Sequence, residues 1–389
     1  MSTVLVLNSG SSSLKYRLLD DAETVLAAGL VERIGTEGGS LRHRGPAGEV
    51  TVTAPLPDHT AALALMMATC AEHGPELAPD VVGHRVVHGG ARFSAPIVVD
   101  AEVEAAIEAL STLAPLHNPP GLLGIRAARA AFPDVPQVAV FDTAFHATMP
   151  PEASTYAVDA ELAARYGVRR YGFHGTSHEY VSRVAADHLG RPDAKLVVLH
   201  LGNGASACAV DAGRSIATSM GLTPLEGLVM GTRGGDLDPG ALLHLLRQGL
   251  DVDGLDTLLN RRSGLAGLTG TGDLRDVLAA AAAGDAQAEL ALDVYAHRVR
   301  GYVGAYLAHL GGLDGLVFTA GVGENSPEVR ARVVAGLGHL GLAVDPARNG
   351  AADRGVRVVS PDGAGVPVLV VPTDEELQIA RHALATVGG

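Results

Sequence analysis

Short polar strings carry most of the groups in this chain that could do chemistry. GHRVVHGG holds His84, Arg85 and His88; PLHNPPG holds His117; VFDTAFH holds Asp142 and His146. RRYGFHGTSH holds Arg169, Arg170, His174 and His178, and GLVMGTRGGDLDPG holds Arg233, Asp236 and Asp238. A guanidinium forks two hydrogen bonds onto a carboxylate or phosphate and keeps its charge at any physiological pH, and an imidazole can add a third donor. These strings therefore predict an anion site, against the plainer alternative that each is a capped turn or a surface ion pair. A spacing of four recurs in His84/His88, Asp142/His146 and His174/His178 and invites a zinc reading. The Val-Val and Gly-Thr-Ser steps between the histidines do not predict a helical ligand face, so the zinc reading is set aside.

Glycine turns must position such an anion. VLVLNSGSSSLKY (4–16) predicts a strand, a turn of Gly and Ser, and a returning strand; AKLVVLHLGNGASACAV (194–210) repeats the pattern around Gly202 and Gly204. Asn8 and Asn203 lie half a chain apart, which predicts a duplicated α/β domain with one glycine hairpin in each half facing a shared cleft. A third segment, GLVFTAGVGENSPE (315–328), predicts a buried strand, a Gly321-Val322-Gly323 turn, and a helix capped by Ser326 with Pro327 at its first position. No Walker loop is present, because Lys15 and Lys195 lack the preceding glycine and following hydroxyl, and no dinucleotide fingerprint follows Gly323. What remains is a two-hairpin clamp in which backbone N–H groups and the hydroxyls of Ser11, Ser12 and Ser13 converge on a polyphosphate.

Between the hairpins run helices. Val103, Ile107 and Leu110 keep i, i+4, i+7 spacing; Asp238-Pro239 opens another helix with four leucines; a longer one, about 286 to 309, ends at Gly311-Gly312. Strands interleaved with helices predict the α/β class with mixed sheets, and Pro150-Pro151 is the expected crossing between domains. With 389 residues at 47% apolar composition the chain can bury a full core. A net charge of −14 argues against a nucleic-acid or membrane partner. Cys70 and Cys208 are expected in apolar surroundings without a disulfide, and the Met66-Met67 pair in the core. The short opening apolar stretch, without a basic leader, predicts a cytoplasmic protein.

Taken in order, NSGSSSLKY, GHRVVHGG, PLHNPPG, VFDTAFHATMP, RRYGFHGTSH, HLGNGASA, SMGLTPLEGLVMGTRGGDLDP, TAGVGENS and PTDEEL make the whole chain resemble the acetate kinases of the acetokinase family. The resemblance implies two duplicated ribonuclease H-like domains of the actin, Hsp70 and sugar-kinase fold: 1–143 plus 375–389, carrying hairpin 1, and 144–374, carrying hairpin 2 and the adenosine site. It implies a homodimer that transfers phosphate between ATP and acetate, giving ADP and acetyl phosphate, with magnesium or in its place manganese.

Residue by residue, the resemblance implies that Asn8 and Glu375 hold the metal. Lys15, His200, Leu201, Gly202, Asn203 and Gly204 would line the nucleotide phosphates. Asp273, Leu274, Arg275, Gly321, Val322, Gly323, Glu324 and Asn325 would hold the rest of ATP. Arg85 would bind substrate, Asp142 would be the active-site acid, and His174 and Arg233 would stabilise the transition state. Val87, Leu116, Phe173 and Pro224 would form the methyl pocket.

Two positions depart from the family pattern. Asp374 stands where Asn is usual and places a further negative charge beside the metal site. Gly234 stands where Ser is common and predicts a looser turn. A carboxylic acid substrate titrates near about 4 and is already ionised at neutral pH, so Asp142 is expected to orient metal-bound water or a cation and not to act as a base. Propionate or butyrate kinase is the alternative reading, a sugar kinase or an actin- or Hsp70-like ATPase the remoter one.

Overall fold

The computed structural model describes residues 2–388 and divides into two compact units, Met1–Ala144 with Asp374–Gly389, and Phe145–Thr373. The first crossing falls at Ala144/Phe145 and not at the Pro150-Pro151 pair, which instead opens the short helix Pro151–Ser154. Proline preorganises a first helical turn, so that pair is spent locally.

The N-terminal unit is built on eight strands: β1 (Thr3–Ser9), β2 (Ser13–Asp20), β3 (Val25–Glu32), β4 (Thr36–Gly45), β5 (Gly48–Leu56), β6 (Val81–Val86), β7 (Ile97–Val98) and β8 (Gln137–Phe141). Their order is β5-β4-β3-β2-β1-β6-β8-β7, antiparallel from β5 to β1 and parallel through β1, β6 and β8. The C-terminal unit has β9 (Lys195–Leu201), β10 (Ala205–Asp211), β11 (Arg214–Thr218), β12 (Gly315–Thr319), β13 (Arg357–Val358) and β14 (Val368–Val370), in the order β11-β10-β9-β12-β14-β13. A meander followed by parallel strands therefore occurs in each unit: β3-β2-β1-β6-β8 in one and β11-β10-β9-β12-β14 in the other. This is the duplication that the paired hairpins predict.

The unbroken apolar run of β1 reflects burial on both faces. Leu5 and Leu7 pack in one cluster with Leu63 and Met66 of the helix His59–His73, while Val4 and Val6 pack in another with Ile379 and Ala383 of the helix Glu375–Gly388. In the C-terminal unit Leu196 and Val198 of β9 meet Val181 and Ala185 of the helix Gly175–Leu189. Cys70 and Cys208 are both buried free thiols.

The expected helices form at Ala101–Ala109, at Pro239–Arg247 behind the Asp238 cap, and at Ala286–Leu310, which ends on left-handed Gly311. The 315–328 segment differs in one respect. Ser326 caps the helix Pro327–Val334 as expected, but Gly321-Val322-Gly323 is no turn; it lies in the helix Ala320–Asn325. The chain reverses one residue earlier, at Ala320, whose φ of 63° makes the corner that the glycines were expected to make.

Candidate active site

In the N-terminal unit, β1 and β2 form the first hairpin with Asn8 opposite Lys15. Its turn closes through Gly10 N–H to the Ser13 carbonyl (2.8 Å), and His59 Nε2 donates to the Gly10 carbonyl (2.8 Å). The helix Asn118–Ala131 approaches so closely that a Cβ on Gly124 would lie 2.0 Å from Ser9 Oγ. Next to β1, strand alternation on β6 sends His84 and Arg85 to opposite faces. His84 is buried against Gln137 (2.8 Å), and burial pushes its pKa down to about 4.

Arg85 meets three other groups. Its Nε donates to Asp142 Oδ1 and Oδ2 (3.1 and 3.2 Å) and its Nη2 to Oδ2 (2.7 Å). Nη1 lies 3.5 Å from Asn8 Oδ1, and Nε 3.9 Å from Glu375 Oε2. Burial opposes the guanidinium charge, but Asp142, Glu375 and Glu376 outweigh it and hold Arg85 firmly protonated. Asp142 is 1% exposed. Of its two expected roles, orienting metal-bound water or orienting a cation, the contact present is with a cation.

Three successive carboxylates open the last helix. Asp374 chelates Arg17 Nη1 (2.6 and 2.7 Å) and accepts from Leu377 N–H (3.0 Å). Glu376 pairs with Lys15 (2.5 Å) and with Arg17 (3.5 Å), two cations on one face of β2. Glu376 is penalised by burial, yet Lys15 and Arg17 hold it below the usual carboxylate range. Glu375 is raised, by burial first, with Asp142 and Glu376 adding to it against Arg85 and Lys15. The extra charge expected of Asp374 is thus balanced by Arg17.

An amide oxygen on Asn8 and a carboxylate on Glu375 both reach Arg85, in a patch with several acidic groups. Magnesium favours oxygen donors, takes one or two carboxylates from a protein and fills its octahedron with water and phosphate. The donor set fits that ion. Among the described residues no group of three or more His, Cys, Asp or Glu is placed to hold a metal ion.

In the C-terminal unit the second hairpin turns at Gly202-Asn203-Gly204, closed by Gly202 N–H to the Gly204 carbonyl (3.0 Å). A Cβ on Gly204 would come within 2.9 Å of Arg233 Nη2 and 3.6 Å of His174 Nε2, so both candidate side chains crowd this one glycine. Arg233 Nη1 donates to the Pro224 carbonyl (2.8 Å), and burial lowers its pKa. Its loop is laced to the helix Gly264–Thr269 through Ser263 N–H to Thr232, Leu265 N–H to Met230 and Ala266 N–H to Gly231.

His174 precedes the helix Gly175–Leu189 with φ 57°, a left-handed conformation that costs a side-chain-bearing residue about 1–2 kcal/mol. Such strain at a site residue points to a functional placement. The Gly-Thr-Ser step after it is helical, contrary to expectation. His174 and His178 end up one turn apart, and both meet the Ser206 hydroxyl. The His200 ring stacks on His174 with centroids 4.1 Å apart.

Beside the hairpin lies a cavity of about 820 Å³, within the range of small-molecule sites. Gly202 and Asn203, expected at the phosphates, and Asp273, Leu274, Arg275, Gly321, Val322 and Asn325, expected at the rest of ATP, are all among its lining residues. His200, Leu201, Gly204, Gly323 and Glu324 stand behind or beside it; Glu324 Oε1 accepts from Thr373 N–H (3.0 Å), and Arg330 Nη1 donates to the Gly323 carbonyl (2.8 Å). Lys15 is not among its lining residues and belongs to the other unit.

Of the methyl-pocket candidates, Val87 is half-buried and Leu116 47% exposed in the N-terminal unit. Phe173 is buried and Pro224 half-buried in the C-terminal unit. Arg17, Glu376 and Ser206 touch the candidate residues and were not singled out in the sequence, whereas His178 was named there only as part of its string. The alternation of Lys15 and Arg17 along a strand against the acidic run 374–376 was a usable signal for the first two; nothing local marks Ser206.

Comparison with known proteins adds to this geometry. Residues 3–381 match the Acetokinase family. The chain is 63% identical over 394 residues to the acetate kinase of Leifsonia xyli, covering 100% of this chain and 99% of the relative. It is 57% identical to that of Streptomyces coelicolor, covering 99% and 97%. Two solved structures superpose over nearly the full length. The acetate kinase of Porphyromonas gingivalis has a TM-score of 0.93 at 42% identity, covering 100% of both chains, and a propionate kinase from Francisella tularensis has 0.94 at 40% identity, covering 99% and 100%.

Proposed function

The chain belongs to the acetokinase family and is an acetate kinase, and from that premise we propose how its two groups of residues divide the transfer of a phosphoryl group between ATP and acetate. The observation that carries the proposal is the convergence of Arg233 and His174 on Gly204, at the hairpin whose Gly202 and Asn203 also line the nucleotide cavity.

The transferring group passes through a loose, metaphosphate-like state with charge spread over its equatorial oxygens, so the protein's work is positioning and cationic stabilisation. The C-terminal unit would supply the nucleoside cavity, the hairpin amides, and the Arg233 and His174 donors. The N-terminal unit would supply Arg85 for the carboxylate of acetate. The fork from Arg85 to Asp142 fixes the guanidinium plane, and acetate, ionised at neutral pH, needs no proton removed. Asp142 therefore acts as the orienter of Arg85. Asn8 and Glu375 would hold magnesium, which when bound neutralises phosphate charge. Lys15 and Arg17 keep the flanking Glu376 and Asp374 compensated, leaving Glu375 as the carboxylate available to a metal.

A homodimer belongs to the same proposal. The helices Pro239–Arg247 and Val252–Arg261 bury no residue, and Leu243 and Val252 are exposed, apolar surface that a second copy would cover. Sedimentation of the wild type and of Leu243→Glu tests this: a monomeric wild type overturns it. Substrate choice is tested by measuring ADP formation with acetate, propionate, butyrate and glycerol side by side. The expected order places acetate first by kcat/KM and glycerol without turnover.

A further inference from the structure

Ser206 on β10 is fully buried between two imidazoles, its Oγ 2.9 Å from His174 Nδ1 and 2.7 Å from His178 Nε2. A hydroxyl owns one proton, so where it donates to one of these rings it must accept from the other. His178 decides which. It is fully buried, and its Nδ1 has no hydrogen-bond partner among the described residues. Burial first, then the neighbouring His146 and His200, hold its pKa well below the ordinary value, so the ring is neutral. An orphaned N–H in an interior is rarer and more costly than an unused lone pair. His178 accordingly carries its proton on Nε2 and donates to Ser206. The Ser206 proton is then directed at His174 Nδ1. A neutral imidazole that accepts at Nδ1 bears its own proton on Nε2, and the Cε1–Nε2 edge of His174 is the one that faces Gly204 beside Arg233, both atoms 3.6 Å from where a Cβ on that glycine would lie.

We propose that Ser206, held by His178, is a positioning residue that fixes His174 as the Nε2–H tautomer, so that a neutral imidazole presents a donor at the tip of the second hairpin. The inference rests on the reading that His174 contacts the transferring phosphoryl group. Its chemistry follows from the groups facing His174: the stacked His200 ring and the Arg233 guanidinium. With Arg233 supplying positive charge, a proton relay that keeps Nε2–H directed outward gives a fixed dipole without a second full charge. It also explains why three polar side chains of one unit are spent where apolar packing would serve the fold.

The test is a nitrogen-15 spectrum of histidine-labelled protein near pH 7.5, with the His174 signals assigned by their loss in His174→Gln. The expected pattern is a protonated Nε2 and an unprotonated Nδ1 on His174; an imidazolium or an Nδ1–H tautomer overturns the proposal without any variant. Ser206→Ala is expected to mix the tautomers and lower kcat on the order of ten-fold, since a preoriented donor aimed at developing charge carries effects of that size or larger. The KM for acetate and for ATP should stay within about two-fold, as expected when an interaction made only in the transition state is lost. An unchanged tautomer in Ser206→Ala also overturns it. His178→Gln, which keeps a donor, should retain the tautomer and most of the rate, and His178→Leu should lose both. Wild-type kcat in His174→Ala would instead remove the reading of His174 as a phosphoryl contact, while the spectrum would still report on the relay.

Discussion

At the residue scale the site's chemistry reduces to how two arginines are held. Arg233 is half-buried and bonded to a backbone carbonyl, and among the described residues no carboxylate is paired with it, so its charge is left for an arriving anion. An arginine on a transferring phosphoryl group is worth roughly 10³–10⁵ in rate. Arg233→Ala should lower kcat by that order while nucleotide binding, read by fluorescence titration, persists. Arg85 is tied to a buried carboxylate, and removing one partner of such a pair costs about 3 kcal/mol or more. Asp142→Ala should therefore lower the urea midpoint and raise the acetate KM, with the ATP KM little changed. His84 gives a pH signature. Its folded pKa, about 4 through burial, lies below the unfolded value of about 6.5, so the unfolded chain binds the proton first as pH falls. Stability from His84 is intact above pH 6.5 and declines by up to about 1.4 kcal/mol per pH unit down to about 4. Urea midpoints between pH 7 and 5 should fall less steeply in His84→Asn than in the wild type.

At the element scale, close backbone approach decides what the loops tolerate. Gly264 has φ 61°, and a Cβ there would lie 2.2 Å from the Met230 carbonyl and 2.6 Å from that of Arg233. Gly264→Ala should cost about 1–3 kcal/mol and lower kcat, because the Arg233 loop must move to admit it. Gly234 is the contrast. Its nearest neighbour to an added Cβ is Ser263 Cβ at 3.7 Å, and its φ is not positive. Gly234→Ser should change stability by less than about 0.5 kcal/mol and leave kcat intact, since a side chain fits there without strain. The last helix shows how one element serves a site by its cap. Asp374 accepts from Leu377 N–H and holds Arg17, so the helix start and the neighbouring Glu375 are set by the same residue.

At the scale of the whole molecule, the cavity beside the second hairpin, proposed above for the nucleoside, is lined by residues of Phe145–Thr373 alone. A ligand that binds only the folded state stabilises it by about 2.7 kcal/mol at a hundred times its Kd. ATP without metal or acetate should slow hydrogen exchange in peptides around Gly202, Asp273 and Val322. Peptides from β3 to β5 should be unaffected; protection there would show that nucleotide binding reaches beyond the unit that lines its cavity.

How much of this was legible beforehand follows from the range of the forces involved. Strand, glycine turn and cap are local, so the two hairpins, the Ser326 and Asp238 caps, the Gly311 stop and the mixed α/β class could be read from neighbouring residues. The Arg- and His-bearing strings and the acetokinase resemblance were legible for the same reason, since each motif is continuous in the chain. The corner at Ala320 was not: its positive φ is imposed by the packing around the strand it ends, and no propensity of alanine announces it. The partners were not legible either. Arg17 finds Asp374, Asp142 finds Arg85, and Ser206 finds two histidines only because strand pairing together with helix-on-sheet packing brings residues far apart in the chain within about 3 Å. Sequence alone determined which charged groups and turns this protein has. Tertiary structure decided which charges neutralise one another, and so which remain for phosphate, because hydrogen bonds and ion pairs act over ångströms while the chain sets only who can be brought that near.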